Sequence, residues 1–251
     1  MKVDKILAVR NTKTIYRDGE VCVKLFDEKY PKSYVLREAL NHSYIEETGL
    51  KIPKIKEVTC IDGEWGIESE YIKGTTLLEL VRKNDSRKME YMDRFIQLHA
   101  TVMGIECKSL GRLADRMNEN IAKSDLEATT RYDMHMKLLE ASNTNNICHG
   151  DFNLSNIIIT QEDDAYVVDW SKLSRGDSRA DMANTYLILL LEEGEELATY
   201  YLNKIIELMS VTRESVMEWV PLMAAFRSVE AKKDVREKLL SLMDYQNGGP
   251  A

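Results

Sequence analysis

Two short stretches, HGDFNLSN over residues 149–156 and VVDWS over 167–171, hold the side chains best suited to handling a divalent cation and a proton. The segment joining them, NIIIT-QEDD-AYVVD, reads as a strand, a four-residue polar loop (Gln161 to Asp164) and a second strand. If that loop is symmetric, Thr160 faces Ala165, Ile158 faces Val167 and Asn156 faces Asp169. Opposed residues in an antiparallel ladder lie roughly 5 Å apart at Cα, so an amide and a carboxylate would converge on one hard cation. Magnesium suits such a pair, because it takes one or two oxygen ligands from protein and fills its shell with water and phosphate oxygens. Asp151 lies just upstream, with its own proton-accepting carboxylate. The plainer alternative is that Asn156 and Asp169 merely end strands while Asp151 and Asn153 form an Asx turn.

The rest of the chain must position these groups. Residues 1–74 read as short strands around one helix: KTIYRDGEVCVKLF is a hairpin turning at Arg17 to Glu20 and placing Lys24 on its second strand. A helical pattern follows from Ser33 to Gly49, and KIPKIKEVTC and EWGIESEYI form two more strands about Asp62-Gly63. After Gly74, Thr76 and Glu79 form a capping box, and a 3.6-residue apolar period takes over. It predicts helices near 76–83, 88–103, 115–139, 180–192, 195–209, 212–230 and 232–244, interrupted by one hairpin at 156–169. Cys148, Met134 and Met136 are expected in the core, and the tail NGGP is expected to fray.

Composition narrows the class. With 251 residues and 44% apolar content the chain can build a substantial core. It has no apolar run of membrane-spanning length and no signal-peptide centre, and four scattered cysteines suit reduced thiols in a cytoplasmic location. Residues 1–74 balance 13 basic against 13 acidic side chains, so the whole net charge of -8 falls on residues 75–251. That surface disfavours nucleic acid and anionic membranes; it would attract a cationic small molecule, though acidity also serves solubility.

His149, Asp151, Asn156 and Asp169, in CHGDFNLSNII and YVVDWS, resemble the catalytic and metal-binding loops of aminoglycoside phosphotransferases and choline/ethanolamine kinases. The resemblance covers almost the whole chain. It implies an α+β, bilobal protein-kinase-like fold. Residues 1–74 would be a small antiparallel-sheet nucleotide-binding lobe with one helix, and 75–251 a larger, mostly helical lobe carrying the β-hairpin and acceptor site.

The same resemblance implies Asp151 as catalytic base, Asn156 and Asp169 as ligands of Mg2+, and Lys24 braced by Glu38 on the phosphates of ATP or GTP. It makes ESEYIKG a hinge in which the Glu70 carbonyl and Ile72 amide hold the base. AVRNTKTIYR lacks the glycine-rich phosphate loop, leaving Asn11, Thr12, Lys13 and Thr14 as its cover. Only WSKLSRGDSRA separates Asp169 from Asp181, which favours a small acceptor over a protein. Asp181 is expected to be structural and His149 to hold its loop.

The implied function is transfer of a γ-phosphate to a hydroxyl of a small cationic molecule such as an aminoglycoside or choline, by a monomer or weak homodimer. A nucleotide-binding pseudokinase and a protein-directed kinase are the rivals. EWVPLMAAFR, with Trp219 and Arg227, resembles the family's late helix near the acceptor cleft, and equally fits an ordinary core helix.

Overall fold

The computed structural model describes residues 5–10, 12–140 and 144–243. The elements run β1 (Lys5–Val9), β2 (Lys13–Asp18), β3 (Val21–Phe26), α1 (Lys32–Glu46), β4 (Ile55–Ile61), β5 (Glu64–Glu70), β6 (Thr75–Thr76) and α2 (Leu77–Lys83). Next come α3 (Lys88–Met103), α4 (Leu113–Lys123), α5 (Ala128–Glu140), β7 (Asn146–Cys148), β8 (Ile157–Ile159), β9 (Ala165–Val167) and β10 (Ser174–Gly176). The chain finishes with α6 (Ser178–Glu192), α7 (Glu195–Met209), α8 (Arg213–Met217), α9 (Val220–Ser228) and α10 (Lys233–Ser241). None of the described helices is long and apolar enough to cross a membrane.

By their contacts the residues form two compact units: Met1–Lys83 with Leu154–Ser171, and Asn84–Asn153 with Lys172–Ala251. The sequence reading drew a single boundary at Gly74. The hairpin joins the first unit because β6 pairs with β8 and α2 packs on the turn at 154–156. Gly74 makes that pairing possible, since a Cβ there would stand 2.3 Å from the Ile159 carbonyl oxygen.

In the first unit an antiparallel sheet of order β1-β2-β3-β5-β4 carries α1. Phe26, Val35, Ala39 and Ile67 form the core between sheet and helix. The β4–β5 turn is the one foreseen, with Asp62 and Gly63 both at positive φ as a type I′ turn requires.

The hairpin's register differs from expectation by one residue. Ile157 pairs with Val167, Ile158 with Tyr166 and Ile159 with Ala165. The loop has three residues, not four: the Thr160 amide donates to the Asp164 carbonyl at 2.9 Å, and Asp163 takes the left-handed conformation, φ 64°. Aspartate tolerates that conformation, and the shift places buried Ile157 opposite buried Val167. Asn156 therefore opposes Val168, whose amide donates to its carbonyl at 2.9 Å, and not Asp169.

In the second unit α6 is apolar or buried nearly all round, and α7, α8, α9 and β7 cover it. The helix expected at 115–139 is two, α4 and α5, interrupted after Lys123 where Ser124 turns extended. That at 212–230 is also two, α8 and α9, with Pro221 in the first turn of α9, where its missing N–H costs nothing. Strands β6, β7 and β10 are two or three residues long and leave no periodic signal. Cys148 and Met134 are buried as expected, whereas Met136 is exposed. Asn11 and the NGGP tail lie outside the described residues.

Candidate active site

In the first unit the register of the sheet builds one wall of a cavity. Partners in a ladder share a face, so Ile15, Lys24 and Ile67 form one row, and Cys22, Ser69 and Ile55 the next. These side chains line a cavity of about 210 Å³. Glu38 and His42 reach it from consecutive turns of α1, and Asn156 and Asp169 reach it from the two ends of the hairpin.

Lys24 Nζ donates to Glu38 Oε1 at 2.6 Å and to Asp169 Oδ1 at 3.0 Å. Lys13 Nζ stands 3.5 Å from the same Asp169 oxygen. Burial works against the charge on Lys24, but Asp169 and Glu38 outweigh it and hold its ammonium above the ordinary lysine range. Burial likewise opposes ionisation of Asp169, and Lys24 and Lys13 overcome it, keeping the carboxyl well below the usual range. Lys13 is shifted down, first by burial and then by Lys24. Asp169 itself, two residues past the end of β9, has φ 59°, and the indole N–H of buried Trp170 donates back to the Val167 carbonyl at 3.0 Å.

The hairpin thus brings Asn156 and Asp169 to one cavity by its turns at either end, not by the ladder pairing expected. Among the described residues no cluster of three His, Cys, Asp or Glu could hold a metal. The amide and ionised carboxylate are a two-oxygen donor set, which fits magnesium with phosphate oxygens completing its shell. Glu70 and Ile72, expected at a hinge, line the same cavity. The Lys54 amide donates to the Glu70 carboxylate Oε2 at 3.1 Å rather than to its carbonyl.

In the second unit Asp181 organises the loop bearing Asp151. Its two oxygens accept the His149 amide at 2.8 Å and the Gly150 amide at 2.9 Å, and His99 Nε2 donates to it at 3.1 Å. His99 Nδ1 meets the Tyr201 hydroxyl at 2.8 Å, and the His99 ring stacks on Phe152 with centroids 4.1 Å apart. Burial pushes the Asp181 carboxyl up, but His99, His149 and the loop amide outweigh it and the net shift is downward.

His149 behaves as expected of a loop holder, with Nδ1 accepting the Asp151 amide at 3.2 Å. Asp151 is about three-quarters buried, at 24% exposure, with Arg227 Nη1 3.8 Å and Lys172 Nζ 4.0 Å from its Oδ1.

Sequence reasoning assigned no role to His99, Lys172 or Arg116, and left Arg227 without one. His99 had a usable signal: a lone histidine on a helix face otherwise made of Phe95, Ile96, Val102 and Met103 must find buried partners. The three cations gave none, because the approach of Lys172 and Arg227 to Asp151, with Arg116 on the Lys172 carbonyl, depends on α4, α9 and the segment before β10 packing together.

The comparisons with known proteins agree with this layout. A sequence comparison with curated proteins finds no match. Among solved structures, a choline/ethanolamine kinase family protein from Mesorhizobium loti matches with a TM-score of 0.69 at 14% identity, covering 98% of this chain and 88% of the other. The aminoglycoside phosphotransferase APH(4)-Ia matches at 0.68 and 14%, covering 97% and 93%. LicA in complex with AMP matches at 0.67 and 15%, covering 98% and 92%.

These likenesses establish a protein-kinase-like fold, as the antiparallel first sheet and helical remainder require. The model of the phosphotransferase enzyme family matches residues 10–219, a span that includes Lys24, Glu38, Asp151, Asn156 and Asp169. The chain is a phosphotransferase enzyme and belongs to that family.

Proposed function

We propose that the protein is a small-molecule kinase that transfers the γ-phosphoryl group of ATP or GTP to an acceptor hydroxyl. The observation that carries this reading is the Lys24–Glu38–Asp169 cluster at the wall of a mainly apolar cavity. A buried lysine held charged by two carboxylates is suited to phosphate oxygens, and the isoleucine rows beside it to a flat base. The AMP bound to LicA supports an adenine nucleotide.

In this mechanism Lys24, steadied by Glu38, orients the phosphates, and the Glu70 carbonyl and Ile72 amide hold the base edge. Asn156 and Asp169 would hold magnesium, which when bound neutralises charge on the phosphates. The acceptor oxygen forms its bond to the γ-phosphorus as the bridging bond breaks and the nucleoside diphosphate leaves. Asp151 accepts the hydroxyl proton. The transition state is loose, so positioning is the main task, and the Asp181 clamp on the 149–150 amides performs it.

Acceptor charge is read differently at two ranges. The acid excess of residues 75–251 favours a cation, as do the names of the structural neighbours. Surface charges farther than about 10 Å are largely screened at physiological salt, however, and the groups nearest Asp151 are basic.

The test is consumption of magnesium-ATP and magnesium-GTP across amino alcohols, aminoglycosides, sugars and hydroxy acids. Asp151→Ala should cut turnover at least a hundredfold while nucleotide binding persists, and Asp169→Ala should weaken binding of the magnesium nucleotide itself. Wild-type turnover in both variants would remove the assignment. Nucleotide binding without transfer to any small molecule would favour a pseudokinase.

A further inference from the structure

Two cationic side chains stand within 4 Å of the one carboxylate assigned to proton transfer, and a third stands behind them. Arg227, on α9, places Nη1 3.8 Å from Asp151 Oδ1, and Lys172 places Nζ 4.0 Å from the same oxygen. Arg116, on α4, donates from Nη1 to the Lys172 carbonyl at 2.6 Å and lies over the Phe226 ring, 5.2 Å from its centroid. Arg116 is mostly buried, and burial pushes its guanidinium down from the usual range.

Among the described residues no carboxylate lies within ion-pair distance of Arg116. Glu230, Asp181 and Asp151 act on it only through the field. The remaining acids nearby are committed elsewhere. Asp181 serves His99 and two loop amides, and Asp177 is bound by Arg179. Counting Glu230 with Asp151, three positive groups still face two negative ones. Arg116 and Arg227 are largely buried, and buried charge is ordinarily matched, so this neighbourhood is short of an anion.

A second observation lies on the far side of Arg227. Its Nη1 also donates to Asn184 Oδ1 at 2.9 Å, which fixes the amide's orientation, and Asn184 Nδ2 is fully buried with no hydrogen-bond partner. Asn184 follows Asp181 by one helical turn on α6, and the next residue, Thr185, donates to the Phe152 carbonyl at 3.2 Å. The face of α6 beneath the loop therefore has one unused donor beside an arginine, a polar deficit uncommon in a finished core.

We propose that the acceptor of this enzyme is an anionic alcohol, whose carboxylate or phosphate group is held by Arg227 and Lys172 while its hydroxyl faces Asp151. This rests on the reading of Asp151 as proton acceptor and narrows its substrate class. Arginine's planar fork matches carboxylate and phosphate, whereas an ammonium-bearing acceptor would meet like charges at contact range. The same cations could instead serve the phosphoryl group in transfer, which is anionic too, and the experiment separates the two sources.

Initial rates are measured on acceptors paired by charge: 4-hydroxybutyrate, an anionic alcohol, against choline, and glycerate against glycerol. Arg227→Gln and Lys172→Ala are run beside the wild type; Lys172, at 40% exposure, can be replaced without disturbing the buried Asn184 contact. Calorimetric titration of each acceptor into the protein is recorded in parallel.

The expected result is preferential binding and phosphorylation of the anionic member of each pair, with KM or Kd for it rising ten- to a hundredfold in either variant. Preference for the cationic or neutral member overturns the proposal. So does an equal fall of kcat on every acceptor with KM unchanged, the signature of cations acting on the transferring phosphoryl group. Anion-selective binding that Lys172→Ala weakens, without any transfer, would uphold the anion site and overturn the kinase reading instead.

Discussion

Lys13 Nζ stands 3.5 Å from Asp169 Oδ1, so two lysines converge on one carboxylate from adjacent strands. The chain has no glycine amides ahead of β2 to cover a triphosphate, and Lys13 is the first residue of that strand. Its side chain is 13% exposed, within reach of the groups assigned to the phosphates. Lys13→Ala should weaken magnesium-ATP binding about tenfold, the value of roughly one charge-assisted hydrogen bond. Adenosine, which has no phosphate, should bind as before. Calorimetric titration with both ligands checks this, and equal loss for the two would show that Lys13 shapes the cavity rather than the phosphate contact.

Asp169 is the group on which Lys13, Lys24 and the candidate magnesium site all depend. Asp169→Asn keeps the size and one oxygen but removes the charge, so the variant should bind nucleotide with little response to magnesium. Chelation with EDTA should lower wild-type nucleotide affinity severalfold and leave the variant's nearly unchanged. Equal sensitivity to EDTA would move the ion away from Asp169.

The broad fold and the order of site residues were legible because they rest on local signals. HGD…N…D is compact in sequence, and Asp62-Gly63 specifies its own turn. The hairpin register was misread because a symmetric four-residue loop and a three-residue loop with left-handed Asp163 leave the same composition. Only burial of the Ile157–Val167 pair chooses between them. The basic surroundings of Asp151 were illegible for a different reason: Arg116, Lys172 and Arg227 are dispersed over more than a hundred positions, and only the packing of the helices brings them together.

Asp181 gives a pH dependence whose sign is fixed. Its folded carboxyl titrates below the unfolded value of about 3.9, so the group stabilises the fold fully above that pH and loses its contribution as pH falls through the folded value. Asp181→Asn removes this titration and leaves the His149 and Gly150 amides with a weaker acceptor. Urea unfolding from pH 6 to pH 3 should show a steeper loss of stability in wild type than in the variant. At pH 7 the variant should be less stable by about 2 kcal/mol, in keeping with charged hydrogen bonds. Parallel curves would mean that Asp181 titrates alike in both states.

Gly150 carries the last expectation, since it joins the clamp to the carboxylate proposed as proton acceptor. It has φ 77°, in the left-handed region that L side chains resist, and an added Cβ would stand 2.5 Å from the Lys172 carbonyl oxygen. That carbonyl already accepts Arg116 Nη1 and cannot retreat without breaking the contact. Gly150→Ala therefore meets backbone strain and a clash together, and should destabilise the protein by about 2 kcal/mol or more. Any folded fraction should hold Asp151 out of place, lowering kcat at least tenfold while nucleotide affinity, here assigned to Lys24 and Asp169, stays near wild type. Chemical denaturation with nucleotide titration on the same preparation checks both halves, and an unchanged kcat would separate the loop's geometry from the chemistry.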